Sequence, residues 1–248
     1  WWQHPKELTE EVIRLVGPRR CTSLNWTYDT VKYSIRGPVA YVRLEDVRNA
    51  NALSSKLSSA LTDIAVELHG RPDVKAVVFT AGGAYFCTGG SFMGGEDAQF
   101  APKVDPLLDP EEQSAEQNWP VAALVFLLNT LPQFKVAAIR GKSFGAGNGV
   151  ICSMDYIIAP NTRKTSLFFA ESTRGLGCCM SWQGTLSKIG VPRTRTLALL
   201  SDDIDVQTAK AVGIVDEVVE APSAEVALQA ADERAAALGL EVSRVADE

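Results

Sequence analysis

Residues 139–159, IRGKSFGAGNGVICSMDYIIA, concentrate the backbone best suited to chemistry. A β-favouring apolar run, Val136 to Ile139, leads into Gly141. Gly145, Ala146, Gly147 and Gly149 then crowd before an apolar segment that ends at Asp155. A strand, a Gly-rich turn and a helix N-terminus leave backbone N–H groups unpaired and aimed outward. Small residues there let a ligand oxygen come close to the main chain. The chemistry offered is capture of an oxygen by fixed N–H donors. The spacing excludes a phosphate-binding P-loop, because no Lys-Ser/Thr follows the glycines. Close helix packing accounts for such a cluster equally well, and both readings stand at this point. A second Gly-rich turn runs through Ala81-Gly82-Gly83 to Phe86-Cys87-Thr88-Gly89-Gly90-Ser91. Downstream, Glu171 follows an apolar run, Leu167 to Phe169, and precedes a turn at Gly175–Gly177.

Other chemistries are poorly supplied. His4 and His69 are the two histidines, and neither lies near a Gly-rich turn, so Ser–His, Cys–His and His-based metal sites are not expected. Five cysteines (Cys21, Cys87, Cys152, Cys178 and Cys179) are odd in number and form no CxxC pair. They point to free thiols in a reducing intracellular compartment, cytoplasm or organelle, rather than to a disulfide framework or zinc.

The elements that must position these residues alternate. Residues 1–20 form an N-terminal helical appendage by apolar spacing, with Thr9 as a candidate cap and Gly17-Pro18 as the stop. Val31–Arg36 and Val39–Leu44 pattern as a hairpin about Gly37-Pro38. Asn49 to Ser54 open a helix that runs to His69, capped by Ser54 or Ser55. His69, at its C-terminal end, suits the helix dipole as a cation and reads as structural. Val74–Thr80 is a buried strand. Residues 91–118, acidic and punctuated by prolines, read as a long loop; it serves as a lid or as a plain exposed insertion. A helix from Pro120 to Leu131 follows. Helices over 181–188, 192–200 and 206–212, a β-like Ile214–Val219 and an Ala-rich helix over 223–239 close the chain. The alternation means an α/β architecture.

At 248 residues, 46% hydrophobic and 22% charged, the chain suits one core domain. Its net charge of −6, without a dense basic patch, argues against nucleic acid. No apolar run approaches the roughly 20 residues of a membrane helix. The first residue is Trp1 rather than Met, as expected of a processed chain or a fragment.

From about Val31 to Ala221 the residues resemble the crotonase (enoyl-CoA hydratase/isomerase) superfamily. Phe86 to Ser91 stands at the family's F-x-x-G-x-D segment, and Gly141 to Asp155 at its G-x-x-x-G-G-G…D stretch. Phe168-Phe169-Ala170-Glu171 with Gly175 matches F-x-x-P-E-x-x-x-G, and residues 205–216 resemble its A-x-x-x-G-L-V segment. The resemblance implies a crotonase-like spiral of ββα units over 21–221, and a C-terminal helical part, 222–248, shorter than usual. It implies that the N–H groups of Gly90 and Ala146 form an oxyanion hole, supported by turns at Gly89, Gly145, Gly147, Gly149 and Gly175. Glu171 is then the acid/base. The carrier is CoA or phosphopantetheine, with acyl carrier protein a candidate partner and no metal or other cofactor. A homo-oligomer fits the resemblance, though the helices that build the family's trimer are largely missing.

The departures are specific. Family hydratases use two carboxylates, and the position of the first is Gly149 here. Ser91 replaces the Asp of the first turn, and Ala170 replaces the Pro before the Glu. A single carboxylate suffices to move a proton between C2 and C4 of an enoyl thioester, so isomerisation is favoured over hydration or dehydration. The alternatives are a polyketide-type decarboxylase or dehydratase acting on a carrier-protein thioester, and a catalytically silent crotonase-fold binding module.

Overall fold

The computed structural model describes residues 6–16, 27–90, 107, 121–175, 177 and 179–246. Helix α1 (Lys6–Val16) precedes an antiparallel hairpin, β1 (Val31–Arg36) and β2 (Val39–Leu44). Helix α2 (Ser55–His69) leads to β3 (Ala76–Ala81) and β4 (Tyr85–Cys87). Helix α3 covers residues 121–130. Then β5 (Phe134–Ala138) and β6 (Lys142–Phe144) enter α4 (Ala146–Cys152), and β7 (Tyr156–Pro160) and β8 (Ser166–Phe168) enter α5 (Cys179–Leu200). Strand β9 (Asp203–Asp205), α6 (Val206–Val212), β10 (Glu217–Val219) and α7 (Ala224–Val245) finish the chain.

The longer strands form one sheet in the order β1-β2-β3-β5-β7-β10, parallel from β2 onward. The three-residue strands β4, β6, β8 and β9 form a second. From β3 to β8 the chain lays one strand in the large sheet, one in the small sheet, and then turns into a helix. This is the ββα spiral expected from the sequence. Its cause is visible in the strands: Val77, Val78, Phe79, Ile157 and Ile158 are all buried, as befits a parallel sheet covered on both faces.

One face carries the main core, with α2, α3 and α4 supplying Leu57, Leu61, Leu124, Leu128 and Ile151. The other face is covered by α7. Ala231 and Ala235 pack there against Val39, Val78, Val136 and Ile158. At Gly239 a Cβ would stand 2.8 Å from Val78 Cγ2, so the Ala/Gly face sets how closely this helix lies on the sheet. The helix extends to Val245, beyond the 223–239 expected, and starts from a Ser223 cap that accepts from Val226 N at 3.3 Å. Ala231 and Ala235, within the 222–248 segment, thus share a buried cluster with the large sheet. The N-terminal helix is joined to the core too, since Val12 and Val16 are buried in the main cluster.

Local expectations hold where a cap or breaker sets the boundary. The hairpin limits agree, and Ser54 caps α2 by accepting from Leu57 N at 3.1 Å. Helix α5 breaks at Gly190 (φ 76°, ψ 171°), with Pro192 in the first turn of its second half, as the separate 181–188 and 192–200 segments predict. Thr9 lies inside α1 and does not cap it. Only Glu217–Val219 of the Ile214–Val219 run is strand. The N–H groups of Ile214 and Val215 instead both reach Ala209 O, at 2.9 and 3.2 Å, closing the end of α6. The acidic loop (Leu107 aside), Pro120, Gly17-Pro18 and Ser91 lie outside the described residues. Among the described residues, no helix is long and apolar enough to cross a membrane.

His69 corrects the dipole argument. Burial lowers its pKa from 6.5, and its Nε2 lies 3.2 Å from Leu127 O; the half-buried ring is therefore neutral at neutral pH. A folded pKa below the unfolded one gives a stabilisation that is whole above about 6.5 and is lost as pH falls through the folded value. Substituting His69→Gln should therefore flatten the fall of Tm on acidification from pH 6.5 to 5. An unchanged pH slope in thermal melts would contradict this.

Candidate active site

Strands β4, β6 and β8 are parallel neighbours in the small sheet. At their C-terminal ends the chain leaves through three adjacent turns: Thr88-Gly89-Gly90, Gly145-Ala146 and Phe169-Ala170-Glu171. Each belongs to a successive pass of the spiral. The carboxyl ends of parallel strands are where α/β sheets place their ligands.

The first turn is held from behind by the segment before α2. Asn51 is fully buried with φ 52°, and its Nδ2 donates to Gly82 O at 3.0 Å and Tyr85 O at 2.9 Å. Thr88 Oγ1 donates to Ala50 O at 3.2 Å, and Leu53 N to Gly89 O at 2.7 Å. Leu53 forms a parallel bridge with Gly90 through the residue before it, so the N–H of Gly90 itself is directed away from Leu53. Sequence patterning assigned Asn49–Ser54 to a helix start and missed Asn51. Its signal was Asn-Ala-Asn, since Asn tolerates left-handed backbone.

The first two turns touch. Gly89 has φ 80°, and a Cβ there would stand 2.6 Å from Phe144 O and 3.3 Å from Ala146 N. At Gly147 a Cβ would meet Cys87 O at 2.6 Å and Ser143 Oγ at 2.9 Å. In the first turn of α4, Gly145 N donates to Phe168 O at 3.0 Å and Asn148 N to Gly145 O at 2.8 Å. Asn148 Nδ2 adds a bond to Phe168 O at 2.9 Å, tying the second turn to the third. Ala146 opens the helix, so its N–H has no intrahelical acceptor; the residue is 6% exposed.

Glu171 stands at the start of a single 3-10 turn, Ser172–Arg174, which Gly175 closes in left-handed conformation (φ 68°). Phe169 N donates to Asp202 O at 3.1 Å and Ser172 Oγ to Ala198 O at 2.7 Å, pinning this turn to the second half of α5 and the loop after it. The Glu171 carboxyl lies against Gly145. A Cβ there would be 3.4 Å from Cδ, 3.5 Å from Oε1 and 3.7 Å from Oε2. Ser181 Oγ donates to Oε1 at 2.5 Å. Oε2 is sealed from solvent and has no hydrogen-bond partner among the described residues. Ser181 was not singled out from sequence; no local pattern links it to a glutamate in the preceding turn.

The glycines thus divide between the two readings. Gly89 and Gly145 bring main chain and carboxylate together. Gly147 and Gly149 lie inside α4 rather than in a turn, and Gly147 lets that helix lie close against Cys87 and Ser143. The Gly149 carbonyl accepts from Ser153 Oγ at 2.7 Å, and a Cβ on Gly184 of α5 would stand 2.8 Å from it. Burial pushes the Cys87 thiol up to about 12 and the Cys152 thiol up to about 11, so neither is a thiolate at neutral pH. The arrangement holds main-chain donors beside one carboxylate, which suits polarising a carbonyl while moving a neighbouring proton.

Residues 34–239 match the family model described as enoyl-CoA hydratase/isomerase. A Thermus thermophilus protein carrying an enoyl-CoA hydratase name is 26% identical over 183 residues, 74% of this chain and 68% of its own length. The solved structure of an enoyl-CoA hydratase/isomerase from Marinobacter aquaeolei superposes with a TM-score of 0.70 at 24% identity, over 86% of this chain and 81% of that one. That of an enoyl-CoA hydratase from Bacillus anthracis gives 0.71 at 23%, over 86% and 76%. At these identities the two structures speak for the fold.

Proposed function

The chain belongs to the enoyl-CoA hydratase/isomerase family, and from that premise we propose that it moves the double bond of an enoyl thioester between the C3–C4 and C2–C3 positions, using Glu171 as its one acid/base. The observation that carries this reading is the placement of the Glu171 carboxyl against Gly145, one residue before the Ala146 N–H. A thioester oxygen held by the N–H groups of Gly90 and Ala146 would bring its α-carbon to that carboxylate. Glu171 takes a proton from C2 of a 3-enoyl thioester as the C–H electron pair moves into the carbonyl, and the oxygen becomes the anion of a dienolate. Returning the proton at C4 sends the electrons back and leaves a 2-enoyl thioester. No net proton is consumed, and the step is redox-neutral.

Donors fixed before the charge develops are worth roughly 2.7–4 kcal/mol each in comparable sites. Hydration needs a second group to orient water. Gly149 has no side chain to offer there, and a poorly oriented reactant costs about a hundredfold. The pantetheine arm, of CoA or of a carrier protein, is the handle in this scheme, and no metal or redox group enters it.

The test is proton NMR in D2O with 3-enoyl-CoA and 2-enoyl-CoA. Interconversion of the two is expected, with 3-hydroxyacyl product forming about a hundred times more slowly. Hydration as fast as isomerisation would overturn the single-carboxylate reading. Tight binding of both thioesters without turnover would replace the enzyme by a binding module.

A further inference from the structure

The two oxygens of Glu171 are held differently. Oε1 receives the Ser181 hydroxyl at 2.5 Å, whereas Oε2 is buried and has no hydrogen-bond partner among the described residues. Ser181 itself is firmly placed. It is 1% exposed in the first half of α5, and its carbonyl accepts from Thr185 Oγ1 at 2.6 Å. That half of the helix packs on α4 through Gly184 and the Gly149 carbonyl. Glu171 sits in a turn, so its orienting contact comes from a regular element, which holds a group more tightly than a loop does.

Resting on the function proposed above, we propose that Ser181 is the positioning residue of this site: its hydroxyl fixes Glu171 through Oε1 and leaves Oε2 as the oxygen that takes and returns the substrate proton. The O–H bond forms at Oε2 as the C2–H bond breaks, and the electron pair passes to the thioester oxygen. Delivery at C4 reverses the transfer. Ser181 keeps its proton throughout; it donates a hydrogen bond to a charged acceptor, the stronger kind. Without it the carboxylate gains rotational freedom at the atom that must meet the substrate, and a misplacement of about 1 Å costs up to about a hundredfold.

Four single variants, Glu171→Gln among them, and one double variant test this. Ser181→Ala removes the donor, Ser181→Cys keeps nearly the same volume with a weak donor, and Ser181→Thr keeps the hydroxyl. For Ala and Cys, kcat should fall about ten- to a hundredfold with KM within about twofold, and Thr should restore most of the loss. In a Glu171→Gln background, adding Ser181→Ala should change the residual rate by less than about twofold, because both changes act on one group. Thermal melts of all variants should match the parent. Wild-type kcat in Ser181→Ala or Ser181→Cys, alongside a slow Glu171→Gln, would overturn the proposal while leaving the assigned function standing. So would a Ser181→Ala loss repeated in full in the Glu171→Gln background. A Glu171→Gln variant as fast as wild type would remove the functional reading itself, and this inference with it.

Discussion

Replacing Glu171 by Gln is expected to lower kcat for enoyl isomerisation by about 10²- to 10⁴-fold, the usual range for losing a positioned acid/base. The substitution conserves size, and the amide oxygen of Gln still accepts the Ser181 hydroxyl that now reaches Oε1. The turn around it does not depend on the carboxylate, because Phe169 N, Ser172 Oγ and the left-handed Gly175 hold it. The melting temperature should therefore stay near that of the parent, and the loss should be read in kcat rather than KM. Steady-state rates with a 3-enoyl-CoA, beside a thermal melt, make the comparison. Wild-type turnover would mean that the proton moves by another group, and the assignment would fall.

Gly89→Ala is expected to be the most damaging single methyl in the site. The residue has φ 80°, where a side chain costs about 1–2 kcal/mol from backbone sterics alone. The new Cβ would also stand 2.6 Å from Phe144 O and 3.3 Å from Ala146 N. Relief requires the first and second turns to part, which moves the N–H of Gly90 relative to that of Ala146. Loss of one such donor costs about 10²- to 10³-fold in turnover, and here both are disturbed. A fall in Tm should accompany the fall in kcat, unlike the Glu171→Gln result. A variant that melts and turns over like the parent would show that the two turns need not touch.

Much of this arrangement is legible in the sequence. The hairpin, the Ser54 cap and the break at Gly190 follow from local rules about alternation, capping and left-handed backbone. The two Gly-rich turns stand out by composition, and the family motifs that they and Glu171 resemble, in order, add a role to each. What could not be read is what depends on long-range meeting. Strands β4, β6, β8 and β9 have three residues each, too few for a period to show, so the small sheet that sets the turns side by side was invisible. Asn51 reads as part of a helix start until its partners Gly82 and Tyr85 arrive from the next pass of the chain. His69 reads as a helix-end cation until α3 covers it. Ser181 is one of many serines until it is seen to reach Glu171 across a turn.

The split of the site between main chain and side chain bears on how such a protein changes over time. In the function proposed above, the donors of Gly90 and Ala146 belong to the backbone, and no point substitution deletes an N–H except one to proline. The proton-handling group of the proposed reaction, by contrast, is a single side chain, Glu171, on a separate turn. On that proposal, a lineage built on this scaffold can keep its grip on the thioester while gaining, losing or relocating carboxylates. Change in reaction type then requires no change in the substrate's handle.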